Sequence, residues 1–434
     1  MIKVCLNIVL YVLLASCSPE IESNKGSFTL AVIPDTQNYL DYTHQKSEGF
    51  SLDASDQFLT QMKYIAEHSF NNGGDIVFAI HLGDVWQHQT IQMDDQHRVE
   101  GFEAIPNKWL AGHVFPAPDQ VFGFEVPMAI EGFRILSEAN IPFGVVPGNH
   151  DYDAMWSAAG WPPTDDPKKL TMSIEALGRL HAGGLNTFRA VFGEKSEFFK
   201  NKDWYVESYD GGTNSAQIFE AGGYQFLHLA LEMSPMDDVL SWASSVLKKY
   251  DGLPSIVTTH DYLSASSEKK SVPIIDFHAV DARHNNAQML WDKLISQHSQ
   301  IFMVLSGHQH GQGLLIEKND FGGKVYQIMA DYQDRGQSGI DAGQPIDPYT
   351  GRPVGIGDGW MRLMTFDFSG SMPFVEVSTY SSHYLVDANH LDNYADWYRR
   401  LEQPNMTDDE FLKADSFTLE LDDFYSRFGS ATGL

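Results

Sequence analysis

The chain has 434 residues, of which 43% are hydrophobic, so it can bury one large core or two ordinary ones. Its 58 acidic and 29 basic residues give a formal net charge of −29 at pH 7. This charge argues against a nucleic-acid polymer as the natural partner, because the chain offers no basic field that would attract phosphates.

Residues 1–16 have the pattern of a lipoprotein signal peptide. Residues 4–15 are an apolar run that is too short to span a bilayer but has the length of the apolar region of a signal peptide. The run ends in Leu-Ala-Ser-Cys, which predicts cleavage before Cys17, lipidation of its sulfur and attachment to the bacterial cell envelope; ordinary secretion is the alternative. Residues 17–26 would then be a polar tether. Cys5 lies in the removed segment, so no intramolecular disulfide is expected.

Apolar runs bounded by turn residues predict strands, and apolar residues at helical spacing predict helices. In chain order, the predicted strands are residues 28–34, 76–82, 143–146, 205–208, 216–220, 224–230, 255–259, 301–305, 324–330, 361–368, 374–379 and 416–421. The predicted helices are residues 56–69, 128–139, 171–180, 239–249, 289–297, 392–401 and 408–414. The first strand, helix and strand predict a parallel sheet, whereas the glycine-rich turns within residues 205–230 predict hairpins.

Longer segments between these elements are predicted to be insertions into one catalytic domain, which covers residues 27–384. The first insertion, residues 85–132, is rich in aromatic residues and begins directly after Asp84, which favours a role in shaping a substrate pocket. A structural flap is the alternative. Residues 385–434 are expected to be an acidic C-terminal extension that packs on the domain. The predicted insertions are residues 85–132, 152–183 and 264–287.

Polar side chains follow five of the predicted strands, at the point where each strand ends. Because α/β sheets place their ligands at the carboxyl ends of strands, we expect these side chains to converge. Carboxylates, imidazoles and amide oxygens are the ligands of borderline-to-hard divalent metals, and these groups suffice for two metals that share a carboxylate. For each of these side chains, the alternative to a metal ligand is a purely structural residue at the end of a strand. The residues are Asp35, Gln37, Asp84, Asn149, His150, His260, His308 and His310.

The motifs Pro-Asp-Thr-Gln, His-Leu-Gly-Asp, Gly-Asn-His-Asp, Thr-His-Asp-Tyr and Gly-His-Gln-His occur in this order between about residues 28 and 374. They resemble the motifs of the calcineurin-like metallophosphoesterase superfamily, and in particular of a bacterial secreted and lipoprotein branch that also carries Asp/Asn-Tyr-Gln. The resemblance implies an α/β fold, a four-layer αββα sandwich of two mixed β-sheets flanked by helices. It also implies hydrolysis of phosphate mono- or diesters of a small molecule.

The resemblance assigns roles to individual residues. A hydroxide that bridges two divalent metals (manganese, iron or zinc, with magnesium a further option) would attack phosphorus, and His150 would be the general acid. Asp84 would bridge the two metals, which makes Asp84 and His150 the candidate catalytic residues. The remaining ligands would be Asp35, Gln37 and His310 for one metal, and Asn149, His260 and His308 for the other.

The sequence departs from the superfamily pattern at two positions. Gln37 stands where many members have histidine, which replaces an imidazole nitrogen by an amide oxygen and tilts the first metal position toward manganese, iron or magnesium. Gln87 stands where phosphoprotein phosphatases have an aspartate that orients the catalytic histidine. We therefore expect His150 to lack that partner, which argues against phosphoprotein phosphatase activity for this protein.

Substrate contacts are harder to predict than metal ligands. Arg283, His284 and Arg335 lie on predicted loops from which they would reach a phosphate oxygen. The alternative is that they are solvated loop residues without a substrate contact. The expected partner is a small-molecule phosphate ester, and the membrane is contacted only through the lipid anchor. An extracytoplasmic ligand- or glycan-binding lipoprotein with a structural metal site is a second hypothesis, from a different functional class.

Overall fold

The computed structural model describes residues 26–90, 98–99, 101–103, 118–158, 180–269, 277–280, 282–344 and 354–430. The predicted signal peptide, Cys17 and the predicted helix up to residue 179 lie outside these residues, as do large parts of the three predicted insertions. No helix among the described residues is long and apolar enough to cross a membrane.

The described residues form 17 strands. They are β1 Ser27–Ile33, β2 Ile76–His81, β3 Phe102–Glu103, β4 Phe143–Val145, β5 Ala154–Ala158, β6 Leu180–Gly183, β7 Tyr205–Tyr209, β8 Asn214–Ala221, β9 Tyr224–Ala230, β10 Ser255–Thr258, β11 Ile301–Ser306, β12 Gly311–Lys318, β13 Lys324–Asp331, β14 Trp360–Asp367, β15 Phe374–Ser381, β16 Val386–Asp387 and β17 Phe417–Glu420.

Helices connect these strands and cover the sheets. The α-helices are α1 Gln37–Leu40, α2 Ser55–Glu67, α3 Pro118–Gln120, α4 Val126–Glu138, α5 Asn186–Phe192, α6 Asp237–Lys249, α7 Phe277–Val280, α8 Ala287–Leu290, α9 Gln337–Asp341, α10 Tyr394–Glu402, α11 Asp408–Asp415 and α12 Phe424–Phe428. Two π-helical turns, Val121–Glu125 and Trp291–Ile295, lead into α4 and out of α8. Short 3-10 turns lie at Tyr42–His44, Lys46–Glu48, Phe70–Asn72, Asp210–Gly212 and Ala388–His390.

Two seven-stranded sheets carry the fold, and their parallel strands lie at one side of the first sheet and at the centre of the second. The first sheet has the order β16-β15-β14-β1-β2-β4, with β17 added beside β15; β1, β2 and β4 run parallel, and β14 and β15 run antiparallel to their neighbours. The second has the order β12-β13-β11-β10-β9-β8-β7, in which β9, β10, β11 and β13 run parallel. A small antiparallel sheet, β3-β5-β6, stands apart from both.

The two large sheets pack face to face, and helices cover their outer faces. Phe28 and Phe78 of the first sheet pack with Phe226 and Phe302 of the second in one buried cluster. The opposite face of the first sheet packs against α2 and α4, and that of the second against α6 and α8. The predicted four-layer αββα sandwich is therefore confirmed, because each sheet buries one apolar face on the other sheet and one on helices.

Candidate metal centre

The carboxyl ends of five parallel strands meet at one edge of the sandwich, where α/β folds bind their ligands. Each of these strands is followed within a few residues by a polar side chain that is buried or nearly so. The five residues are Asp35 after β1, Asp84 after β2, Asn149 after β4, His260 after β10 and His308 after β11.

His260 stands at the centre of this group. Its Nδ1 donates a hydrogen bond to the main-chain carbonyl of Leu82 at 2.8 Å, so Nε2 is the nitrogen that faces the other side chains. The distances from Nε2 are 3.2 Å to Asn149 Oδ1, 3.2 Å to His308 Nδ1, 3.3 Å to Asp84 Oδ2 and 3.9 Å to Asp35 Oδ2. The ligand atoms of Asp84, His260 and His308 all lie within 4.8 Å of one another, which is the spacing of groups that share a metal.

Gln37 lies beside this cluster on the first turn of α1. Its Nε2 donates to Asp84 Oδ2 at 3.4 Å and to the side-chain oxygen of Gln333. Its Oε1 is buried and has no hydrogen-bond partner among the described residues. A buried oxygen without a donor is costly unless a cation contacts it, so the position of Gln37 fits a metal ligand.

The backbone is shaped to bring these groups together. Asp84 and His308 both have positive φ, 50° and 67°, a conformation that costs energy in residues other than glycine and that clusters at functional sites. A side chain at Gly148 would place its Cβ 2.2 Å from Asp84 Oδ1, and one at Gly307 would lie 2.2 Å from Asp35 Oδ1. Glycine at these two positions therefore leaves room for the carboxylates.

The electrostatics of the cluster call for added positive charge. Burial raises the pKa of Asp35, and the carboxylates of Asp331 and Asp84 add to that rise. Burial also disfavours the ionised form of Asp84, but His260 and His150 outweigh it and hold the pKa of Asp84 below its usual range. Divalent cations would neutralise this buried excess of carboxylate, so the donor set fits the two ions that the sequence predicts.

His150 is held next to the cluster by two hydrogen bonds. Its main-chain N–H donates to Asp84 Oδ1 at 2.8 Å, and its Nδ1 donates to the main-chain carbonyl of Gln87 at 2.6 Å. Nε2 is then the free nitrogen, and it lies 3.8 Å from Asp84 Oδ2. His150 has no aspartate at position 87 to orient it, as the sequence indicates, but the main-chain carbonyl of Gln87 accepts from its ring instead.

Glu125 supports the segment that carries this carbonyl. Glu125 is fully buried, and its Oε2 accepts hydrogen bonds from the main-chain N–H groups of Gln87, at 3.2 Å, and His88, at 3.0 Å. Its Oε1 contacts His88 Nδ1 at 2.7 Å. Asp41, His88 and Glu125 form a second group whose ligand atoms lie within 4.8 Å of one another. Both oxygens of Glu125 already accept hydrogen bonds, so we interpret this group as a structural support.

His310 contacts carboxylates other than those with which the sequence predicts it to share a metal. Its Nδ1 pairs with Asp334 Oδ2 at 2.7 Å, its Nε2 lies 4.0 Å from Asp331 Oδ2, and its side chain is 46% exposed. The ion pairs of this imidazole are thus with the last residue of β13 and with the loop that follows it.

Two of the three predicted substrate contacts are buried and bound to other groups of the protein. Arg335 is completely buried and pairs with Glu402 and Asp415, so its expected contact with substrate is corrected to a structural role. His284 is also buried, and its Nδ1 donates to the Ser234 carbonyl at 2.7 Å, which likewise argues against a substrate contact. Arg283 is exposed on its loop.

Two supporting residues belong to the quoted motifs but are not among the predicted site residues. His81 is buried, its Nδ1 accepts from Gly83 N at 3.2 Å, and its Nε2 lies 2.9 Å from Thr36 Oγ1. Burial lowers the pKa of His81 to about 3, so it is neutral. Asp151 accepts from Val85 N and Gly148 N, at 2.9 and 2.8 Å, and fixes the turns beside Asp84 and Asn149.

No model of a known protein family matches this chain. The chain is similar to the uncharacterized protein YvnB of Bacillus subtilis (strain 168), with 25% identity over 300 residues. The match covers 68% of this chain but 17% of that protein, so the chain spans a small part of the length of this relative. Its structure is also similar to a dimetal phosphatase from Danio rerio, with a TM-score of 0.38 and 11% identity over 82% of this chain and 97% of that one.

Proposed function

We propose that this protein is a dinuclear metal-dependent phosphoesterase of the calcineurin-like metallophosphoesterase superfamily. The observation that carries the proposal is the convergence of Asp35, Asp84, Asn149 and His308 on Nε2 of His260, from five separate strand ends. Two divalent cations, when bound, supply a nucleophile at neutral pH and neutralise charge on the phosphoryl group.

In this proposal the two ions share Asp84. Asn149, His260 and His308 hold one of them, and Asp35 and Gln37 hold the other. The anchoring of His260 Nδ1 on the Leu82 carbonyl supports this assignment, because it fixes the ring with Nε2 turned to the cluster.

His150 is proposed as the general acid. The Gln87 carbonyl can only accept a hydrogen bond, so Nδ1 of His150 keeps its proton and Nε2 is the nitrogen that exchanges one with substrate. A proton given from Nε2 to the leaving alkoxide neutralises the charge that develops there as the ester bond breaks. His150 is partly exposed, which leaves it accessible to a substrate.

The substrate class and location rest on the sequence. With a net charge of −29, a small phosphate ester is a more suitable substrate than a nucleic-acid polymer. The signal-peptide pattern before Cys17 supports a chain that is lipid-anchored to the bacterial cell envelope. These two parts of the proposal are tested separately from the chemistry, by metabolite screening and by mass spectrometry of the mature N-terminus.

The first experiment measures hydrolysis of p-nitrophenyl phosphate and bis-p-nitrophenyl phosphate by the purified protein with added Mn²⁺. We expect turnover of at least one ester, and we expect Asp84→Asn to lose nearly all turnover and at least one metal ion by elemental analysis. Bound metal without turnover of either ester would instead favour the ligand-binding lipoprotein.

A further inference from the structure

Asp331, the last residue of β13, is a buried carboxylate at the edge of the candidate metal centre. It is 1% exposed, and its Oδ1 accepts the main-chain N–H of Gln333 at 3.1 Å. Its Oδ2 is also buried but has no hydrogen-bond partner within the part of the chain that the structure describes. A buried carboxylate oxygen in this state is costly, which indicates that something else contacts it in the working protein.

The surroundings of Asp331 point to the first metal position. Gln333, which donates to Asp331, also accepts from the Gln37 amide through its side chain and from Asn38 Nδ2 through its carbonyl, at 3.1 Å. Asp331 and Gln37 are thus tied to one residue, and each has an oxygen that lacks a hydrogen-bond donor among the described residues. Two such oxygens on neighbouring side chains are what a shared cation would satisfy.

We propose that Asp331 is a further oxygen ligand of the first metal position, beside Asp35, Gln37 and Asp84. This inference rests on the proposed dinuclear function and concerns its metal selectivity. Four oxygen ligands and no obligatory imidazole favour Mn²⁺ or Mg²⁺ over Zn²⁺ at this position, while the position that contains His260 and His308 keeps its nitrogen ligands.

The rival explanation is that Asp331 only orients His310, which would then be the ligand. The 4.0 Å between His310 Nε2 and Asp331 Oδ2 admits such a pair. Against it, His310 Nδ1 already pairs with Asp334 at 2.7 Å, and nearly half of the His310 side chain is exposed. The two explanations differ in which substitution removes a metal ion.

The test measures Mn²⁺ binding by calorimetry and the spectrum of coupled Mn²⁺ pairs by electron paramagnetic resonance, in the wild type, Asp331→Asn, His310→Ala and the matched control Asp334→Asn. We expect two ions in the wild type and in Asp334→Asn. We expect Asp331→Asn to weaken one ion by roughly 100-fold or more and to lose the coupled signal, since removal of even supporting groups costs 10–100-fold. Circular dichroism checks that each variant is folded.

The proposal is overturned if Asp331→Asn binds two Mn²⁺ ions as tightly as the wild type. It is also overturned if His310→Ala loses as much affinity and the double variant loses no more, because Asp331 would then act through the imidazole. A smaller loss of Zn²⁺ than of Mn²⁺ affinity in Asp331→Asn would support the proposed selectivity. A wild type that binds fewer than two ions would refute the dinuclear function itself, which separates the two failures.

Discussion

His150 is the residue at which metal binding and proton transfer can be separated. Its main chain, and not its ring, donates to Asp84, so removal of the ring leaves that hydrogen bond in place. We expect His150→Ala to keep both metal ions and to lose roughly 100- to 10,000-fold in turnover, the usual contribution of a general acid. Elemental analysis and steady-state kinetics measure the two effects.

A histidine on the surface provides the control for this substitution. His390 is 71% exposed, and His390→Ala should leave both metal content and turnover unchanged. If His150→Ala instead lost a metal ion, the imidazole would be a ligand and the general acid would have to be sought elsewhere.

At the scale of elements, the turn after β2 and the start of α4 act together. Glu125, which ends the π-helical turn before α4, holds the main chain of Gln87 and His88, and the Gln87 carbonyl in turn orients His150. Burial alone would lower the pKa of His88, but the hydrogen bond and charge of Glu125 outweigh it and raise the pKa, which favours the charged form of His88 under the turn. The π-helical turn thereby supports the proposed general acid through the main chain of Gln87.

The variant Glu125→Gln tests this positioning role. In Glu125, one oxygen accepts from Tyr42 N and the His88 ring, and the other accepts from the main-chain N–H groups of Gln87 and His88. Glutamine has one acceptor oxygen in place of two, so one of these two sets of hydrogen bonds loses its acceptor. We expect kcat to fall by roughly 10- to 100-fold, while KM and metal content stay the same. Glu131→Gln, on the exposed face of α4, is the matched control. A loss of metal ions in Glu125→Gln would contradict a purely positioning role.

A second set of elements is tied together by Arg335. Its guanidinium contacts Glu402 of α10 and Asp415 of α11, and Asp415 also accepts from Thr379 of β15 at 2.9 Å. Residues of the C-terminal segment, among them Phe411 and Phe424, are buried in the core between the sheets. The segment is therefore joined to the loop after β13 by charge as well as by apolar packing.

Removal of this arginine should be costly. Arg335→Met would remove the arginine that pairs with Glu402 and leave Asp415 with only Arg362, 3.9 Å away. We expect the free energy of unfolding to fall by about 3–5 kcal/mol, as for other buried pairs that lose one partner. Urea denaturation measures it, with Lys413→Met, from an exposed pair with Asp409, as the control that should change nothing. Equal stability of the two variants would show that the buried pair contributes no more than a surface pair.

At the scale of the whole molecule, apolar runs followed directly by polar residues predict both the sheets and the site. Asp35, Asp84 and His260 each follow a buried strand, and those strands are within a residue or two of their predicted bounds. The strand β12 is missed, because Gly311 and Gly313 break its apolar run and its outer residues are polar, as suits an edge strand.

The contacts that the sequence does not predict are those made through the main chain or over long separations. The acceptor for His150 is a carbonyl, which no side chain at position 87 reveals. Arg335 has the pattern of a loop residue because its partners lie 67 and 80 residues further along the chain. In both cases the partner is fixed by packing of distant elements, and local pattern carries no information on it.

Buried neutral histidines make the stability of the whole fold depend on pH. His228 of β9 is buried, with Nδ1 2.7 Å from Gln217 Oε1 and Nε2 2.9 Å from Thr258 Oγ1. Burial lowers the pKa of His228 to about 3, whereas an unfolded chain titrates near its ordinary value of 6.5. Below pH 6.5 the unfolded state therefore binds a proton that the folded state refuses, and stability is lost as the pH falls from 6.5 toward 3.

The variant His228→Gln isolates this contribution. It removes the titrating group and leaves His81, whose pKa is lowered in the same direction, to cancel when the two proteins are compared. We expect the free energy of unfolding of the wild type to fall by about 1.4 kcal/mol more per pH unit than that of His228→Gln below pH 6.5. Urea titrations at pH 7, 6, 5 and 4 measure the two slopes. Parallel slopes would mean that His228 is already protonated in the folded protein, and that the layer between its sheets accommodates a charge.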